Sequence, residues 1–166
     1  MSTPPEKLKS NKELGFTIVE TLVALVVLSM AIIPALYLST KAVDISEEIR
    51  DDLVAAGLAQ EGIEVIRAIR DTNWFTGLAF DNSLPDGAYR LQWNSTSLLP
   101  LSGNPILLVS NGVYSYDSGA NTKFRRTVTI TKVNAGELKI VSQVTWPSKT
   151  NPNNSIQTED HLFNWK

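Results

Sequence analysis

The sequence GFTIVETLVALVVLSMAIIPALYL occupies residues 15–38 and decides the architecture of the chain. After Gly15, the 23 residues from 16 to 38 are uncharged except for Glu20. A helix of that length rises about 35 Å at roughly 1.5 Å per residue, which is enough to cross a hydrocarbon core of about 30 Å. The stretch therefore predicts a membrane-spanning helix over residues 16–38.

The residues before this stretch indicate its orientation and separate it from a secretory signal peptide. A signal peptide has a shorter apolar region, of about 7–15 residues, followed by small residues. Here the small residue, Gly15, precedes the apolar run. Lys7, Lys9 and Lys12 also precede it, and lysines favour a cytoplasmic location for their side of a membrane helix. We expect a single-pass helix in the cytoplasmic membrane with its N-terminus inside.

Glu20 is a carboxylate within an apolar segment, and two interpretations of it are open at this point. A charged residue in a membrane helix costs on the order of 2.5–3.5 kcal/mol on insertion scales, so such residues usually have a partner or a function. However, Glu20 lies only four residues after Phe16, where a carboxylate reaches the lipid headgroups at low cost. The position alone is compatible with a functional residue or with an ordinary interfacial one.

The order Gly15-Phe16-Thr17-Ile18-Val19-Glu20, after a lysine-rich segment, resembles the N-terminus of type IV prepilins and the related pseudopilins. The resemblance implies that residues 1–15 are a leader peptide, which a prepilin peptidase removes by cleavage between Gly15 and Phe16. It also implies N-methylation of Phe16. Glu20 would form an assembly charge pair with the N-terminal amine of a neighbouring subunit, which agrees with the tendency of a buried acid to pair with an opposite charge.

The helical pattern extends beyond the apolar stretch. Pro34 predicts a helix kink or a local loss of helix, because proline lacks the backbone N–H that the helix needs. Residues 39–74 predict an amphipathic helix that continues into the head and stops at the turn-forming residues 71–73. Its apolar stripe recurs at spacings of three and four: Ala42, Ile45, Ile49, Leu53, Ala56, Ala59, Ile63, Ile66 and Ile69. We expect this stripe to pack on a sheet, because its heptads are too irregular for a coiled coil.

Two glycines interrupt the amphipathic helix. Gly57 and Gly62 each weaken a helix by up to about 1 kcal/mol, and close packing is one reason to keep them. Residues 57–74 also resemble the helix end of minor pilins of the type IV pilus modification (V) type. The resemblance implies a minor subunit.

The C-terminal part, residues 75–166, predicts a β-rich globular head. Short alternating segments predict strands at residues 88–93, 124–133, 137–146 and 156–165, the last of which would close the sheet. Asn134-Ala135-Gly136 and Asn111-Gly112 predict hairpin turns. The fold class is therefore α+β, with an antiparallel sheet packed on the helix. Loops 76–86 and 95–104 are expected to face outward, and the four tryptophans to fill the core, although an exposed one could serve adhesion.

The amino-acid composition excludes several classes of catalytic and metal-binding site. The chain has no Cys and a single His, His161, so thiol catalysis, disulfides and His-rich metal sites are excluded. His161 is expected at the surface or at a strand edge. The formal net charge of −2 gives no indication of a nucleic-acid partner. No nucleotide-binding or hydrolase motif is present. Residues 117–121 offer oxygen ligands but lack the acidic density of a calcium site. We expect no enzyme activity, no cofactor and no metal.

These observations together predict a structural subunit of a type IV pilus or a related filament, resembling a minor pilin. Its partners would be prepilin peptidase, other pilin or pseudopilin subunits, the inner-membrane assembly machinery, and membrane lipid before assembly. The mature protein would lie in a periplasmic or cell-surface filament. Two alternatives stay open: a pseudopilin of a type II secretion or DNA-uptake system, and a single-pass membrane-anchored binding domain outside the cytoplasm.

Overall fold

The computed structural model describes Gly15, residues 17–149 and residues 151–165. Its first element is one long helix, α1, at Ile18–Phe75. Contacts within the chain form two compact units, the first ending at Ile45 and the second beginning at Ser46. The helix contributes to both units, and its residues after Ser46 form the helical layer of the head.

The C-terminal end of α1 is closed by a glycine cap. The Leu78 N–H donates to the Asn73 carbonyl at 2.8 Å, and the Gly77 N–H donates to the Trp74 carbonyl at 3.1 Å. Gly77 has a φ of 75°, the left-handed conformation that this cap requires and that glycine adopts without strain. The prediction of a stop at residues 71–73 was wrong by about two residues, because the capping glycine lies further along the chain.

Eight strands follow the helix in the part of the chain that the structure describes. Their bounds are β1 Gly87–Arg90, β2 Leu99–Pro100, β3 Leu108–Ser110, β4 Val113–Ser115, β5 Ala120–Asn121, β6 Arg125–Asn134, β7 Glu137–Trp146 and β8 Asn154–Phe163. The larger sheet has the order β2-β1-β6-β7-β8, and a three-stranded sheet has the order β4-β3-β5. All of the pairings are antiparallel. The predicted α+β class, with an antiparallel sheet on the helix, is therefore confirmed, and the arrangement is pilin-like.

Both predicted hairpins are present. In the β6–β7 hairpin, Asn134 pairs with Glu137 across the turn at Ala135 and Gly136. In the β3–β4 hairpin, Ser110 pairs with Val113. Its two turn residues, Asn111 and Gly112, have φ values of 50° and 80°, the positive pair that a two-residue hairpin turn favours.

In the first turns of α1 within the head, the buried face of the helix differs from the predicted apolar stripe. Ala59, Ile63, Ile66 and Ile69 of the predicted stripe are buried, as expected. Ile49 and Leu53 are exposed, and Leu53 retains 69% of its accessible surface. Asp51 faces the head instead, and its carboxylate forms an ion pair with Lys123. The prediction failed there because it assigned burial to apolar side chains only, whereas this paired carboxylate takes the inner position.

Two further predictions about the head were wrong. The loop over residues 76–86 is not a purely outward segment, because Phe80 and Leu84 are 3% and 2% exposed and belong to the main core. Tertiary packing recruits these two side chains from an otherwise polar segment. The tryptophans are not all core residues either: Trp146 is buried, but Trp93 and Trp165 are exposed.

Candidate processing and assembly site

The predicted cleavage position lies directly after Gly15, which comes three residues before the start of α1. Gly15 is exposed and non-helical, and among the described residues, its chain neighbours aside, no atom comes within 4 Å of the position that a Cβ on Gly15 would take. Thr17 is also exposed and non-helical, and the helix begins at Ile18. Phe16 lies outside the described residues, so cleavage before it and its N-methylation stay predictions. A peptidase needs an accessible, extended substrate, and the surroundings of Gly15 are compatible with one.

Thr17 caps the N-terminus of the helix. The Glu20 N–H donates to Thr17 Oγ1 at 3.2 Å, and the Thr21 N–H donates to the Thr17 carbonyl at 3.1 Å. A hydroxyl that accepts from the third residue of a helix satisfies one of the four N–H groups that have no partner within the helix. The order Thr-Ile-Val-Glu has the spacing of a capping box, which could have revealed this role from the sequence.

Glu20 is placed in the first turn of α1, where its side chain is exposed. A negative charge in this position is favoured by the positive end of the helix dipole. No ion pair joins Glu20 to another residue within the described parts of the chain. The charge pair between Glu20 and the N-terminal amine of a neighbouring subunit stays a prediction.

The apolar half of α1 presents a continuous unburied hydrophobic surface. Its large side chains from Ile18 to Leu38 are each between 46% and 80% exposed. Within the described residues, α1 is the one helix that is long and apolar enough to cross a membrane. The Thr21 and Ser29 hydroxyls donate to the Ile18 and Val26 carbonyls, at 2.7 and 2.8 Å. These bonds satisfy the polar groups within the helix, as a lipid environment requires.

Pro34 lies inside this apolar half. Helical structure continues through it, so the predicted alternative of a local loss of helix is not observed. Because Pro34 has no N–H, the Met30 carbonyl lacks its usual partner four residues on. The predicted kink at Pro34 stays a prediction.

His161 and two glutamates form a hydrogen-bonded cluster at the edge of the larger sheet. His161 Nδ1 lies 2.7 Å from Glu137 Oε1, and Nε2 lies 3.3 Å from Glu159 Oε1. The hydrogen bonds to Glu137 and then Glu159 raise the pKa of His161. The bonds from Lys139 and then His161 lower the pKa of Glu159. The prediction that His161 lies at a strand edge is confirmed, because β8 is an edge strand.

Within the described residues, no cluster of three or more His, Cys, Asp or Glu side chains could hold a metal ion. Tyr116 has a raised pKa because burial disfavours its phenolate, so the phenol stays neutral at ordinary pH.

The fold is that of a pilin-like α+β protein, with a long apolar N-terminal helix and antiparallel sheets. The family model described as the prokaryotic N-terminal methylation motif matches residues 10–36. The chain therefore carries the type IV prepilin-like signal. No curated protein and no solved structure matches the chain.

The motif and the helix together define the coarse role of the chain. They indicate a pilin-like or pseudopilin-like precursor that is anchored in a membrane. The motif implies processing by prepilin peptidase and assembly with other pilins. A structural subunit, rather than an enzyme, is what such a precursor becomes.

Proposed function

We propose that the chain is a minor-pilin-like subunit of a type IV pilus or a related filament, cleaved after Gly15 and N-methylated at Phe16. The observation that carries this proposal is that the methylation motif, at residues 10–36, spans Gly15 and the start of the apolar helix α1. Gly15 is exposed in a non-helical segment, and a capped apolar helix begins three residues later. In this arrangement an exposed Gly15 precedes the proposed cut, and a hydrophobic assembly element follows it.

The proposed location follows from the charges before the apolar helix. Lys7, Lys9 and Lys12 favour a cytoplasmic N-terminus, so the precursor lies in the inner membrane with its head on the opposite side. Moving from lipid into a filament keeps the apolar side chains away from water throughout. The mature chain then occupies a periplasmic or cell-surface filament.

The proposed assembly step depends on Glu20. Leader removal creates an amine at Phe16, which did not exist in the precursor. When a subunit enters the filament, the Glu20 carboxylate accepts the N-terminal ammonium of a neighbouring subunit. The attraction is strong in an apolar core because a low dielectric weakens it little, and each charge offsets the desolvation cost of the other.

The intact mass of the mature protein tests the processing step. Expressed with an active prepilin peptidase, the chain should lose residues 1–15 and gain one methyl group at Phe16. A Gly15→Leu variant is the control and should keep the leader, since the peptidase would lose its glycine. Recovery of the wild-type chain with its leader intact would refute the processing proposal and would favour a simple membrane-anchored domain.

Substitution of Glu20 tests the assembly step separately. Glu20→Gln keeps the size of the side chain and removes its charge, so membrane insertion should be normal while incorporation into filaments falls at least tenfold. Asp52→Asn is the matched control, because Asp52 is an exposed carboxylate further along the same helix. Equal incorporation of Glu20→Gln and wild type would contradict the charge-pair role without affecting the processing result.

The minor character of the subunit is a separate part of the proposal, supported by the resemblance of residues 57–74 to minor pilins. Quantitative mass spectrometry of sheared filaments measures it directly. We expect this chain at a small fraction of the abundance of the principal subunit. An abundance equal to that of the principal subunit would contradict a minor role.

A further inference from the structure

The head contains a polar groove of about 390 Å³ at one end of the larger sheet. Its walls come from the start of β6, the end of β7 and the connection from β7 to β8. The volume falls within the range of small-molecule sites, roughly 300–1,000 Å³. The groove belongs to the second compact unit and is distinct from the N-terminal processing segment.

Three side chains line this groove in a row across the sheet. Arg125 on β6 is the register partner of Thr145 on β7, and Thr145 is the partner of Ser155 on β8. Directly opposed residues in antiparallel strands point to the same face, so a guanidinium and two hydroxyls share one surface. Gln143 and Asn154 add amides to the lining. Trp146, Pro147 and Pro152 add an apolar part to the lining, but polar atoms form the larger share and supply several hydrogen-bond donors.

The positive charge of Arg125 is the distinguishing feature of the groove. Arg125 Nη1 donates to the backbone carbonyl of Asn104, which holds the guanidinium but does not neutralise it. No carboxylate forms an ion pair with Arg125 within the described residues, and no acidic residue lines the groove. Lys123, the second cation of the lining, is already paired with Asp51. Arg125 is thus the cation that remains available for a ligand.

We propose that this groove binds an oxyanion group, a carboxylate or a phosphate, carried on a small hydroxyl-rich ligand. The planar guanidinium of Arg125 binds the oxyanion through paired charge-assisted hydrogen bonds. Thr145, Ser155 and Gln143 exchange hydrogen bonds with the rest of the ligand. An acidic monosaccharide has this chemistry and fits the volume. The inference goes beyond the proposed function, because filament assembly does not depend on it.

Titration of the isotope-labelled full chain in a non-ionic detergent tests the proposal. The probes are glucuronate, inorganic phosphate and uncharged glucose. We expect saturable shifts of the Gln143, Thr145 and Ser155 amide signals with glucuronate, and binding of glucose at least tenfold weaker. Binding of phosphate as well as glucuronate would identify the oxyanion as sufficient. Binding of glucuronate without phosphate would show that the sugar hydroxyls contribute. Either result supports the site.

Variants distinguish a specific site from a general attraction to positive charge. Arg125→Gln should weaken glucuronate binding at least tenfold, and Arg125→Lys should weaken it less because the charge is kept. Arg50→Gln is the matched control, since Arg50 is exposed on α1 and does not line the groove. An unchanged amide spectrum away from the groove checks that each variant is folded. No saturable binding of glucuronate or phosphate, equal binding by Arg125→Gln, or equal loss in Arg50→Gln would overturn the proposal.

Discussion

Gly62 of α1 lies against Ser142 of β7 so closely that a Cβ atom on Gly62 would stand 2.3 Å from Ser142 Oγ. It would also stand 3.1 Å from the Cγ2 of Val128, on the neighbouring strand β6. Gly62 and Ser142 are both buried. The missing side chain of Gly62 therefore sets how near the helix approaches the centre of the sheet, in agreement with the sequence-based expectation of close packing at this glycine.

Gly62→Ala should lower the free energy of unfolding by about 1–3 kcal/mol, the usual cost of an extra group in a filled core. Alanine is intrinsically the better helix former by up to about 1 kcal/mol, so any net loss measures the steric conflict. Gly57→Ala is the control. Gly57 has no atom within 4 Å of its Cβ position, so its substitution should stabilise the protein. Chemical denaturation of the full chain in detergent gives both values, and equal effects of the two substitutions would contradict the steric explanation.

Ser142→Ala provides the complementary half of this test. Ser142 Oγ is buried and has no hydrogen-bond partner within the described residues, so its removal should cost little. In the double variant with Gly62→Ala, the nearest conflict is gone and part of the lost stability should return. A double-mutant cycle measures this coupling. Strictly additive effects would show that Ser142 is not the atom that limits the approach.

Arg126 is a buried cation that joins α1 to the sheet. Its side chain is 0% exposed, and its Nη1 donates to the Leu58 carbonyl at 2.9 Å and to Glu61 Oε1 at 2.7 Å. Its Nη2 donates to the Leu91 carbonyl. The guanidinium thus connects β6 with the helix and with the segment after β1. No periodicity in the sequence indicated this role, because Arg126 occupies an inward position of a strand where an apolar residue is expected.

Arg126→Ala should lower the free energy of unfolding by about 3 kcal/mol, because it leaves the Leu58 and Leu91 carbonyls and the partly buried Glu61 carboxylate without their donor. Arg67→Ala is the comparison. Arg67 is partly exposed and bonds Glu64 and Asp160, and the exposed-pair range of about 0–1 kcal/mol applies to it. Denaturant titration of both variants measures the difference. A loss below about 1 kcal/mol in Arg126→Ala would show that the buried network contributes little net stability.

The strands that were predicted best are those with strict alternation. The segment predicted at residues 137–146 coincides with β7, in which Leu138, Ile140 and Val144 face the core at every second or fourth position. The sequence did not reveal that Phe80 and Leu84 enter the same core. Their segment has no periodic pattern, and only the packing of distant elements determines which of its side chains is buried.

The candidate sites also differ in whether the sequence alone could predict them. Gly15, Phe16 and Glu20 could be named from the sequence because a processing signal is a local motif that an enzyme reads along the chain. The groove at Arg125 could not be named, because its lining residues come from segments that only the strand register brings together. A local motif can therefore be recognised in the sequence, whereas a surface assembled from distant segments can be recognised only in the folded structure.

Loss of the Thr17 hydroxyl should fray the first turn of α1. Thr17→Ala should destabilise this turn by about 1 kcal/mol, the typical value of a helix cap, and Thr17→Ser should retain it. Thr21→Ala is the control, because the Thr21 hydroxyl donates to the Ile18 carbonyl and caps no N–H group. Hydrogen exchange at the Glu20 amide, measured in detergent micelles, reports the difference. Equal protection of this amide in Thr17→Ala and wild type would contradict the capping role.

The carboxylates beside His161 give the end of the larger sheet a pH dependence. Glu137 and Glu159 favour the charged imidazolium in the folded state, so the folded pKa of His161 lies above its usual value of about 6.5. The resulting stabilisation is complete below that value and is lost as the pH rises through the folded pKa. The lowered pKa of Glu159 acts in the opposite direction, because its contribution is lost as the pH falls below about 4.5. The ion pairs of His161 with Glu137 and Glu159 are therefore strongest above about pH 4.5 and below the folded pKa of His161.

Nuclear magnetic resonance titration of the His161 ring protons tests this dependence. Glu137→Gln removes the largest contribution to the shift, so the pKa of His161 should fall toward 6.5, while Asp117→Asn, an exposed carboxylate outside the cluster, should leave it unchanged. In the wild type, the unfolding temperature should decrease as the pH rises above about 6.5, and in His161→Gln this decrease should be absent. A wild-type His161 that titrates at or below 6.5 would show that the two carboxylates do not hold the imidazolium.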